Sequence, residues 1–415
     1  MDSERKGQKT LWDSPNVGRR EMISLLPLSL AAVSLAGAAT ASAAIPAARP
    51  RIAVVGAGII GVMIAYHLAR RGAAVTVLDP APNSGCTPGA FAMLIAGQTS
   101  GSAEFNDLYV RAVADWHRFQ AELGGDLRVQ WGGTLNWAAP GDHVAKIRAD
   151  QAKLTSWGVD VEPLKAADIA RLCPGAVAGP FGAGYFLPDQ GAVDIDEVMA
   201  VVTAHAVRHG AVFRKAKVRG FGSQTGGGVQ LLTDQGPVDA EKVVLAAGQH
   251  NTDLAALVGA KVPLDLVSGT LAHSKPMPPI LHRVLNGPLG SIKQDPNGCI
   301  VTGLDYAPGA SGIDISDEYG RRLLATAAQT VPALRDAKLD RMTLGYVPIP
   351  AQDKMPIVGR VAPAPNVYVA SMMSGVTVAP LLARLITTEV LEDVRIEMLA
   401  SFRPERFNPQ WQEQG

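Results

Sequence analysis

The sequence predicts an α/β fold built around a parallel β-sheet, and three features support this. A continuous apolar run at 52–55 leads into a glycine-rich turn and a helical pattern, as expected for a buried strand followed by a helix. A second buried strand, predicted at 242–245, also ends in small residues. A third, at 367–370, leads through a glycine into another helical pattern. Units of this kind are typical of parallel sheets covered by helices.

The first unit carries a phosphate-binding pattern. Glycines stand at 56, 58 and 61, between the strand and a helix predicted over 59–71. Gly56 is expected to turn the chain, Gly58 to let backbone approach a pyrophosphate, and Gly61 to let the helix pack closely on the strand. The helix would direct its N-terminal N–H groups and partial positive charge at the phosphates. The pattern predicts a Rossmann-like dinucleotide-binding domain.

Asp79 narrows the choice of dinucleotide. It follows a second predicted strand, 74–78, and stands 18 residues after Gly61. A carboxylate there can accept a hydrogen bond from a ribose 2′-hydroxyl, which argues against a 2′-phosphate and hence against NADP. It does not separate NAD from FAD. The late unit at 367–386, which returns to the nucleotide domain, suits a long ligand with a ring system at its far end.

Composition excludes several classes of protein. The chain of 415 residues is 47% hydrophobic, enough for two domains or one elaborate domain. Lys+Arg and Asp+Glu both number 38, and no basic block interleaved with aromatics suggests nucleic-acid binding. The three cysteines have no disulfide or zinc spacing. We expect neither a metal site nor a nucleic-acid partner.

Residues 1–43 are predicted to be a twin-arginine (Tat) export signal rather than part of the fold. Arg19 and Arg20 precede an apolar run at 23–37 and small residues at 41–43 that resemble a cleavage site. The run is shorter than the roughly 20 residues of a spanning helix. An uncleaved membrane anchor is the alternative. The signal predicts a periplasmic or extracellular enzyme.

Several segments, taken in order, resemble the D-amino-acid-oxidase-like (DAO) family of FAD-dependent oxidoreductases, which includes glycine oxidase, sarcosine oxidase and D-amino-acid dehydrogenase. The resemblance covers nearly all of the chain after residue 50. It rests on VVGAGIIG (54–61), WGGTL (131–135), VVLAAG (243–248), GYVP (345–348), DKMPIVG (353–359) and SGVTVAP (374–380).

The resemblance implies FAD as cofactor and a discontinuous FAD-binding domain assembled from 50–140, 190–260 and 340–395. A substrate domain from 141–189 and 261–339 would be built on a mixed or antiparallel sheet. Predicted cofactor-binding residues lie at the first turn, the loop after the second strand, the middle of the chain and the late helix start. They are Gly56, Gly58, Ile59, Ile60, Gly61, Asp79, Cys86, Thr87, Gly89, Ala90, Phe91, Ala92, Met93, Val218, Ala247, Gly248, Gly345, Ser374, Gly375, Val376 and Thr377.

The residues expected to bind the substrate depart from the family pattern. Relatives commonly hold a substrate carboxylate with the arginine of a Gly-x-Arg-Pro motif, but here that position is Val347. Where relatives often have Gly-His, this chain has Met372 and Met373, which would form a softer and more apolar wall. The hypothesis is a substrate more apolar than an ordinary amino acid. Tyr346, Met373 and Lys293 are the candidate substrate-binding residues.

The implied reaction is removal of a hydride from a carbon bearing an amine, with transfer to flavin N5. Oxygen or a quinone would then accept the electrons, and a quinone would imply membrane association. No general acid or base is assigned. A D-amino-acid dehydrogenase-like enzyme that reduces a quinone and a non-catalytic flavin-binding partner protein are the alternatives. His250 is favoured as a structural residue, and covalent flavin attachment through Cys86 is disfavoured.

Overall fold

The computed structural model describes residues 49–414 apart from 83, 142, 224–226 and 304–313. The export signal predicted at 1–43 lies outside these residues. In the described part of the chain, none of the helices combines the length and the apolar character needed to span a bilayer.

Twenty strands occur in the described residues. In chain order they are β1 (Arg51–Val55), β2 (Ala74–Asp79), β3 (Met93–Leu94), β4 (Val129–Trp131), β5 (Thr134–Ala138), β6 (Glu162–Pro163), β7 (Ala183–Leu187), β8 (Gly191–Val193), β9 (Val212–Lys215), β10 (Val218–Ser223), β11 (Val229–Thr233), β12 (Val238–Ala240), β13 (Lys242–Leu245), β14 (Leu264–Ser274), β15 (Val284–Gly287), β16 (Gly290–Gln294), β17 (Ile300–Gly303), β18 (Leu339–Pro350), β19 (Ile357–Val361) and β20 (Ala364–Ser371).

Eight α-helices accompany these strands within the same residues. They are α1 (Ile59–Arg70), α2 (Ala103–Glu122), α3 (His143–Ser156), α4 (Ala166–Leu172), α5 (Ile195–Arg208), α6 (Asn251–Ala256), α7 (Asp317–Thr330) and α8 (Gly375–Glu392). Short 3₁₀ helices follow at Gly248–His250, Pro332–Leu334, Glu397–Phe402, Pro404–Phe407 and Pro409–Gln414.

The first sheet has six strands in the order β19-β20-β13-β1-β2-β9. All neighbouring pairs are parallel except β19 with β20. The predicted α/β fold with a Rossmann-like sheet is therefore confirmed. The predicted first helix and second strand also form, ending at Arg70 and Asp79, and the late helix begins at Gly375.

From Ile52 to Val55, strand β1 is buried on both faces, which explains this unbroken apolar run. Ile52 and Val54 pack into the hydrophobic cluster that includes α1, α2 and α8. Ala53 and Val55 point the other way, into a cluster with the antiparallel sheet β10-β11-β12. Alternate side chains of one strand thus enter two different cores, and neither face tolerates a polar residue.

The second large sheet has eight strands in the order β18-β14-β17-β16-β15-β5-β7-β6. Only β15 and β5 pair in parallel, so the mixed sheet expected of the second domain is present. Strands β5 and β18 fall within segments that the sequence groups with the first domain, yet both hydrogen-bond in this second sheet. A small sheet, β3-β8-β4, carries the segment around Met93.

A buried ion pair fixes the C-terminal segment to the first sheet. The two terminal guanidinium nitrogens of Arg403, Nη1 and Nη2, donate to the Glu389 carboxylate at 2.7 Å and 2.5 Å. Tyr368 Oη and the Ile396 N–H also donate to Glu389, at 2.6 Å and 2.5 Å. The carboxylate therefore accepts four hydrogen bonds, and these link β20, α8 and the 3₁₀ segments that follow.

His67 is buried in α1, and its Nε2 has no hydrogen-bond partner among the described residues. Its ring packs edge-on against Tyr66 and lies tilted against Phe119. Burial lowers the pKa of His67 from 6.5 to about 4, because the charged imidazolium would lose its hydration. His67 is therefore a neutral packing residue at physiological pH.

Replacing Glu389 by Gln should lower the free energy of unfolding by about 3 to 5 kcal/mol, because Arg403 would remain buried without its counter-charge. Chemical denaturation measures the effect. Asp107→Asn breaks an exposed ion pair with Arg111 and should cost about 1 kcal/mol or less. Equal losses in the two variants would contradict this account of the C-terminal anchor.

The buried, neutral His67 should lower the free energy of unfolding as the pH drops from 6.5 toward 4. The unfolded chain binds a proton near pH 6.5, whereas the folded chain resists protonation until about pH 4, so acid favours unfolding across this interval. The difference corresponds to about 3 kcal/mol. Denaturation at a series of pH values should show a shallower decline for His67→Leu than for the wild type, and identical slopes would refute the assignment.

Candidate active site

The turn between β1 and α1 leaves no room for side chains at two positions. Gly56 has φ +109°, and a Cβ atom there would lie 2.4 Å from the carbonyl oxygen of Ala246. A Cβ atom on Gly61 would lie 2.0 Å from the carbonyl oxygen of Gly56. The two glycines therefore allow β1, the end of β13 and α1 to meet closely, which sets the direction of the α1 N-terminus.

Two side chains hold the backbone amides of this turn. The Asp79 carboxylate accepts from Ala57 N–H at 2.8 Å and, through its other oxygen, from Ala81 N–H at 2.8 Å. Thr87 Oγ1 accepts from Ile59 N–H, the first amide of α1, at 3.1 Å. The acid identified in the sequence thus fixes the loop itself, and its oxygens retain lone pairs for a further donor.

The N-terminus of α8 is held in a similar way. Ser374, just before the helix, has a left-handed backbone with φ 51°. Thr377 Oγ1 donates to the carbonyl oxygen of Met93 at 3.0 Å and accepts from Ile95 N–H at 3.2 Å. The first turn of α8 and the segment after the second strand are therefore locked together.

A single cavity of about 800 Å³ is lined by both helix N-termini. It touches the glycine turn at Gly56 and Gly58 and the start of α8 at Gly375. Its volume lies in the upper part of the range of roughly 300–1,000 Å³ for small-molecule and cofactor sites. First-turn N–H groups of an α-helix have no intrahelical partner, so both helix ends bring amide donors to the lining, apart from the Ile59 N–H, which already donates to Thr87.

Most of the predicted site residues line this cavity. They are Gly56, Gly58, Ile59, Ile60, Asp79, Cys86, Thr87, Gly89, Ala90, Phe91, Ala92, Met93, Val218, Ala247, Gly248, Tyr346, Ser374, Gly375, Val376 and Thr377. Four predicted residues lie outside its lining: Gly61, Gly345, Met373 and Lys293.

Two of these four lie immediately behind the lining. Gly61 packs against Gly56, as described above. Gly345 faces Gly89, where an added Cβ atom would lie 2.2 Å from the Gly345 Cα atom. Met372 lines the cavity and is buried in the core that includes α1 and α8, whereas Met373 is partly buried against the same core and lies outside the lining. The apolar wall predicted from the Met-Met pair is therefore made by one methionine.

Lys293 is only 1% exposed and its charge is already paired. Its Nζ donates to the carbonyl oxygen of Val193 at 2.6 Å and to Asp295 at 2.5 Å. The ring of Phe91, which does line the cavity, lies against this ammonium group, with its centroid 5.7 Å from Nζ. Burial raises the pKa of Asp295 to about 6. This geometry places Lys293 behind the cavity wall and not on it.

The sequence did not single out several residues that line the cavity. Gln249 and Asn286 are the most informative, because Gln249 Oε1 and Asn286 Oδ1 are buried without a partner among the described residues. Orphaned buried acceptors are uncommon and call for an explanation, such as a bound ligand. No local pattern marks either residue. Others are Lys217, Arg219, Asp253, Leu271 and Ser291. His250, which the sequence analysis favours as a structural residue, also lines the cavity.

Each of the five strands β14 to β18 contributes to one side of the cavity. We call the lining residues from these strands the second-sheet wall; they are Leu271, Asn286, Ser291, Gly303, Tyr346, Val347 and Pro348. None of them is charged. The cationic residues of the lining, Lys217 and Arg219, come from β10 and the segment before it.

Cys86 lines the cavity beside the Gly248 backbone, where an added Cβ atom would lie 3.4 Å from its Sγ. Burial raises the pKa of the Cys86 thiol, which keeps it protonated and a weak nucleophile at neutral pH. This does not favour covalent attachment. No group of three or more His, Cys, Asp or Glu side chains in the described ranges is arranged to hold a metal ion.

The lining suits a dinucleotide with a ring system. Amide donors at the start of α1 suit a pyrophosphate, those at the start of α8 suit an electron-rich ring edge, and the orphaned Gln249 oxygen can accept from a ligand donor. The residues present therefore fit FAD.

Comparison with known proteins finds several oxidases among the relatives of this chain. Over 218 residues the chain is 30% identical to 4-methylaminobutanoate oxidase (formaldehyde-forming) of Paenarthrobacter nicotinovorans, covering 52% of this chain but only 26% of that protein. It is 27% identical to glycine oxidase of Bacillus licheniformis, covering 85% of this chain and 96% of the relative.

Solved structures share the fold. Glycine oxidase from Geobacillus kaustophilus superposes with a TM-score of 0.78 at 24% identity, covering 86% of this chain and 99% of the other. L-proline dehydrogenase from P. horikoshii superposes with a TM-score of 0.73 at 21% identity, covering 87% and 98%.

A family model described as FAD dependent oxidoreductase (DAO) matches residues 51–389. The match includes the glycine turn, the second-sheet wall and the start of α8, which together line the cavity. The chain belongs to the DAO family of FAD-dependent oxidoreductases.

Proposed function

We propose that the cavity binds FAD, with the nucleotide along the β1–α1 turn and the ring between the start of α8 and the second-sheet wall, and that the enzyme oxidises an amine. The observation that carries this proposal is one cavity lined by both Gly56–Ile60 and Ser374–Thr377. These segments are more than 300 residues apart in the sequence. Bound FAD would supply the hydride acceptor at flavin N5.

The chain's own contribution is binding and orientation. Asp79 and Thr87 fix the turn that would receive the pyrophosphate, and Thr377 fixes the helix start that would face the ring. The second-sheet wall offers no carboxylate, imidazole or amine to act as a general base. An amine that arrives neutral needs none, so the proposed reaction depends on placing the C–H bond against the ring.

The absence of charged side chains from the second-sheet wall supports a substrate without a carboxylate near the reacting carbon. Val347 stands where relatives have the arginine that binds a substrate carboxylate, and none of the residues of this wall is cationic. The stretch 304–313, which follows Gly303, contains no Lys, Arg or His in its sequence. An uncompensated carboxylate would be desolvated at high cost against these residues.

The same wall offers a hydrogen-bond acceptor. Asn286 Nδ2 donates to Asn136 Oδ1 at 3.0 Å, which leaves Asn286 Oδ1 as the buried atom without a partner. An amine N–H could donate to such an oxygen. Glycine and 4-methylaminobutanoate, named in two of the relatives, are amines that also carry a carboxylate. We propose that the substrate of this enzyme is also an amine, but that it carries an apolar group in place of the carboxylate. This apolar group would contact Phe91, Met93 and Met372.

We also propose export by the Tat route, with oxygen or a quinone as electron acceptor. The basis is the sequence at 1–43, since Tat carries proteins that have already folded around a cofactor. The acceptor is decided by comparing reoxidation of the reduced enzyme by air with reoxidation by a soluble quinone.

Thr87→Val should lower the free energy of unfolding by about 1 kcal/mol and weaken FAD binding, because the Ile59 N–H loses its acceptor. Thr87→Ser keeps the hydroxyl and serves as the matched control. Denaturation and a fluorescence titration with FAD measure the two effects. A valine variant that binds FAD as tightly as the serine variant would rule out this role for the hydroxyl.

Anaerobic mixing with a panel of amines tests the proposed reaction, because reduction bleaches the flavin absorbance. The wild-type enzyme should be bleached by hydrophobic amines and slowly by glycine, sarcosine or D-alanine. Val347→Arg should reverse this preference by about tenfold or more, since a charge-assisted bond to a carboxylate is worth about 1.5 to 3 kcal/mol.

Val347→Gln, which is long and polar but neutral, is the control and should not gain activity with amino acids. Equal bleaching of the wild type by D-alanine and by hydrophobic amines would argue against the substrate proposal. Failure of every amine to bleach the bound flavin would argue against amine oxidation itself.

A further inference from the structure

Helix α8 contains a proline in its second turn, and this proline removes a hydrogen bond close to the cavity. Pro380 is buried and has no N–H, so it cannot donate to the carbonyl oxygen of Val376 four residues earlier. Val376 lines the cavity. A buried carbonyl that loses its helical partner needs another donor.

Trp116 supplies that donor from a different helix. Its Nε1 donates to the carbonyl oxygen of Val376 at 3.1 Å and to that of Thr377 at 2.9 Å. The indole ring is fully buried in α2 and packs edge-on against Phe119. A single indole N–H therefore reaches the oxygen that Pro380 leaves free.

The two carbonyl groups belong to residues in the first turn of α8, whose N-terminus faces the cavity. The Thr377 hydroxyl independently links the same turn to Met93 and Ile95. Trp116 thus holds the carbonyl side of the turn, and Thr377 connects it to the segment that lines the cavity. Between them they leave this helix end little freedom to rotate or translate.

We propose that Trp116 is a positioning residue that compensates for Pro380 and so aims the N-terminus of α8 at the cofactor ring. This inference rests on the proposed placement of FAD. A helix dipole acts mainly within its terminal turn, so a small displacement of the first turn changes the field at the ring. The pairing of Trp116 with Pro380 therefore tunes both FAD affinity and the ease of flavin reduction.

A double-mutant cycle on the holoprotein tests this proposal. Trp116→Phe should raise the FAD dissociation constant about tenfold, because the Val376 oxygen is left buried without a donor. In a Pro380→Ala background, residue 380 regains an N–H that can donate to this oxygen. The same Trp116→Phe change should then raise the constant by no more than about twofold. The packing lost with the indole is the same in both backgrounds and cancels.

The reduction potential of the bound flavin, measured with a chemical reductant and reference dyes, provides a second readout that needs no amine substrate. Trp116→Phe should make it more negative in the wild-type background, because the helix end stabilises negative charge on the ring less well. Trp137→Phe is the matched control, since Trp137 is also buried and donates to a carbonyl, that of Ala178, at 3.0 Å. It should lower thermal stability without changing the potential.

Equal effects of Trp116→Phe in the two backgrounds, or a potential no different from that of Trp137→Phe, would overturn the proposal. Neither result depends on which amine is oxidised. A wild-type protein that binds FAD but is bleached by no amine would instead count against the proposed reaction and leave this cycle interpretable.

Discussion

The close approach of backbone segments at the β1–α1 turn is the constraint on which the rest of the structure depends. Gly56 lies against the end of β13, and Gly61 lies against Gly56, at separations that exclude any Cβ atom. This contact fixes where α1 begins relative to the sheet. Asp79 and Thr87 then hold the amides of Ala57 and Ile59, and Gly58 and Ile60 of the same turn line the cavity. A larger residue at either glycine would separate the elements that define the nucleotide site.

The sequence alone predicts those parts of the site whose residues lie close together in the chain. Strand, glycine turn, helix and acid lie within residues 51–79, and their spacing encodes the geometry directly. Local spacing does not bring residue 375 to residue 59, so the position of the α8 start beside this turn is predicted through the family resemblance. The prediction of strands is accurate where an apolar run is buried on both faces, as at 52–55 in β1 and 243–245 in β13, because a run of this kind is typical of a central parallel strand.

Other parts of the site could not be predicted, for identifiable physical reasons. Met372 and Met373 lie between the end of β20 and the left-handed Ser374, outside any regular element, so no periodicity in the sequence tells which of them lines the cavity. Lys293 shares a strand face with Ser291, a cavity residue, but Phe91 from a distant loop covers it. No sequence pattern marks Gln249 and Asn286. Their side-chain oxygens are notable only because folding buries them without hydrogen-bond partners among the described residues.

The strand order of the first sheet has a consequence for how the chain acquires its structure. Strand β20 pairs with β13, and β13 with β1, so neighbours in the sheet come from residues 51–55, 242–245 and 364–371. The sheet therefore cannot be completed until the ribosome has synthesised almost the whole enzyme. Pairings so distant in the chain carry a large loop-closure entropy and fold slowly. Until β20 arrives, β13 presents an unpaired hydrophobic edge, the kind of surface that chaperones cover in a nascent polypeptide.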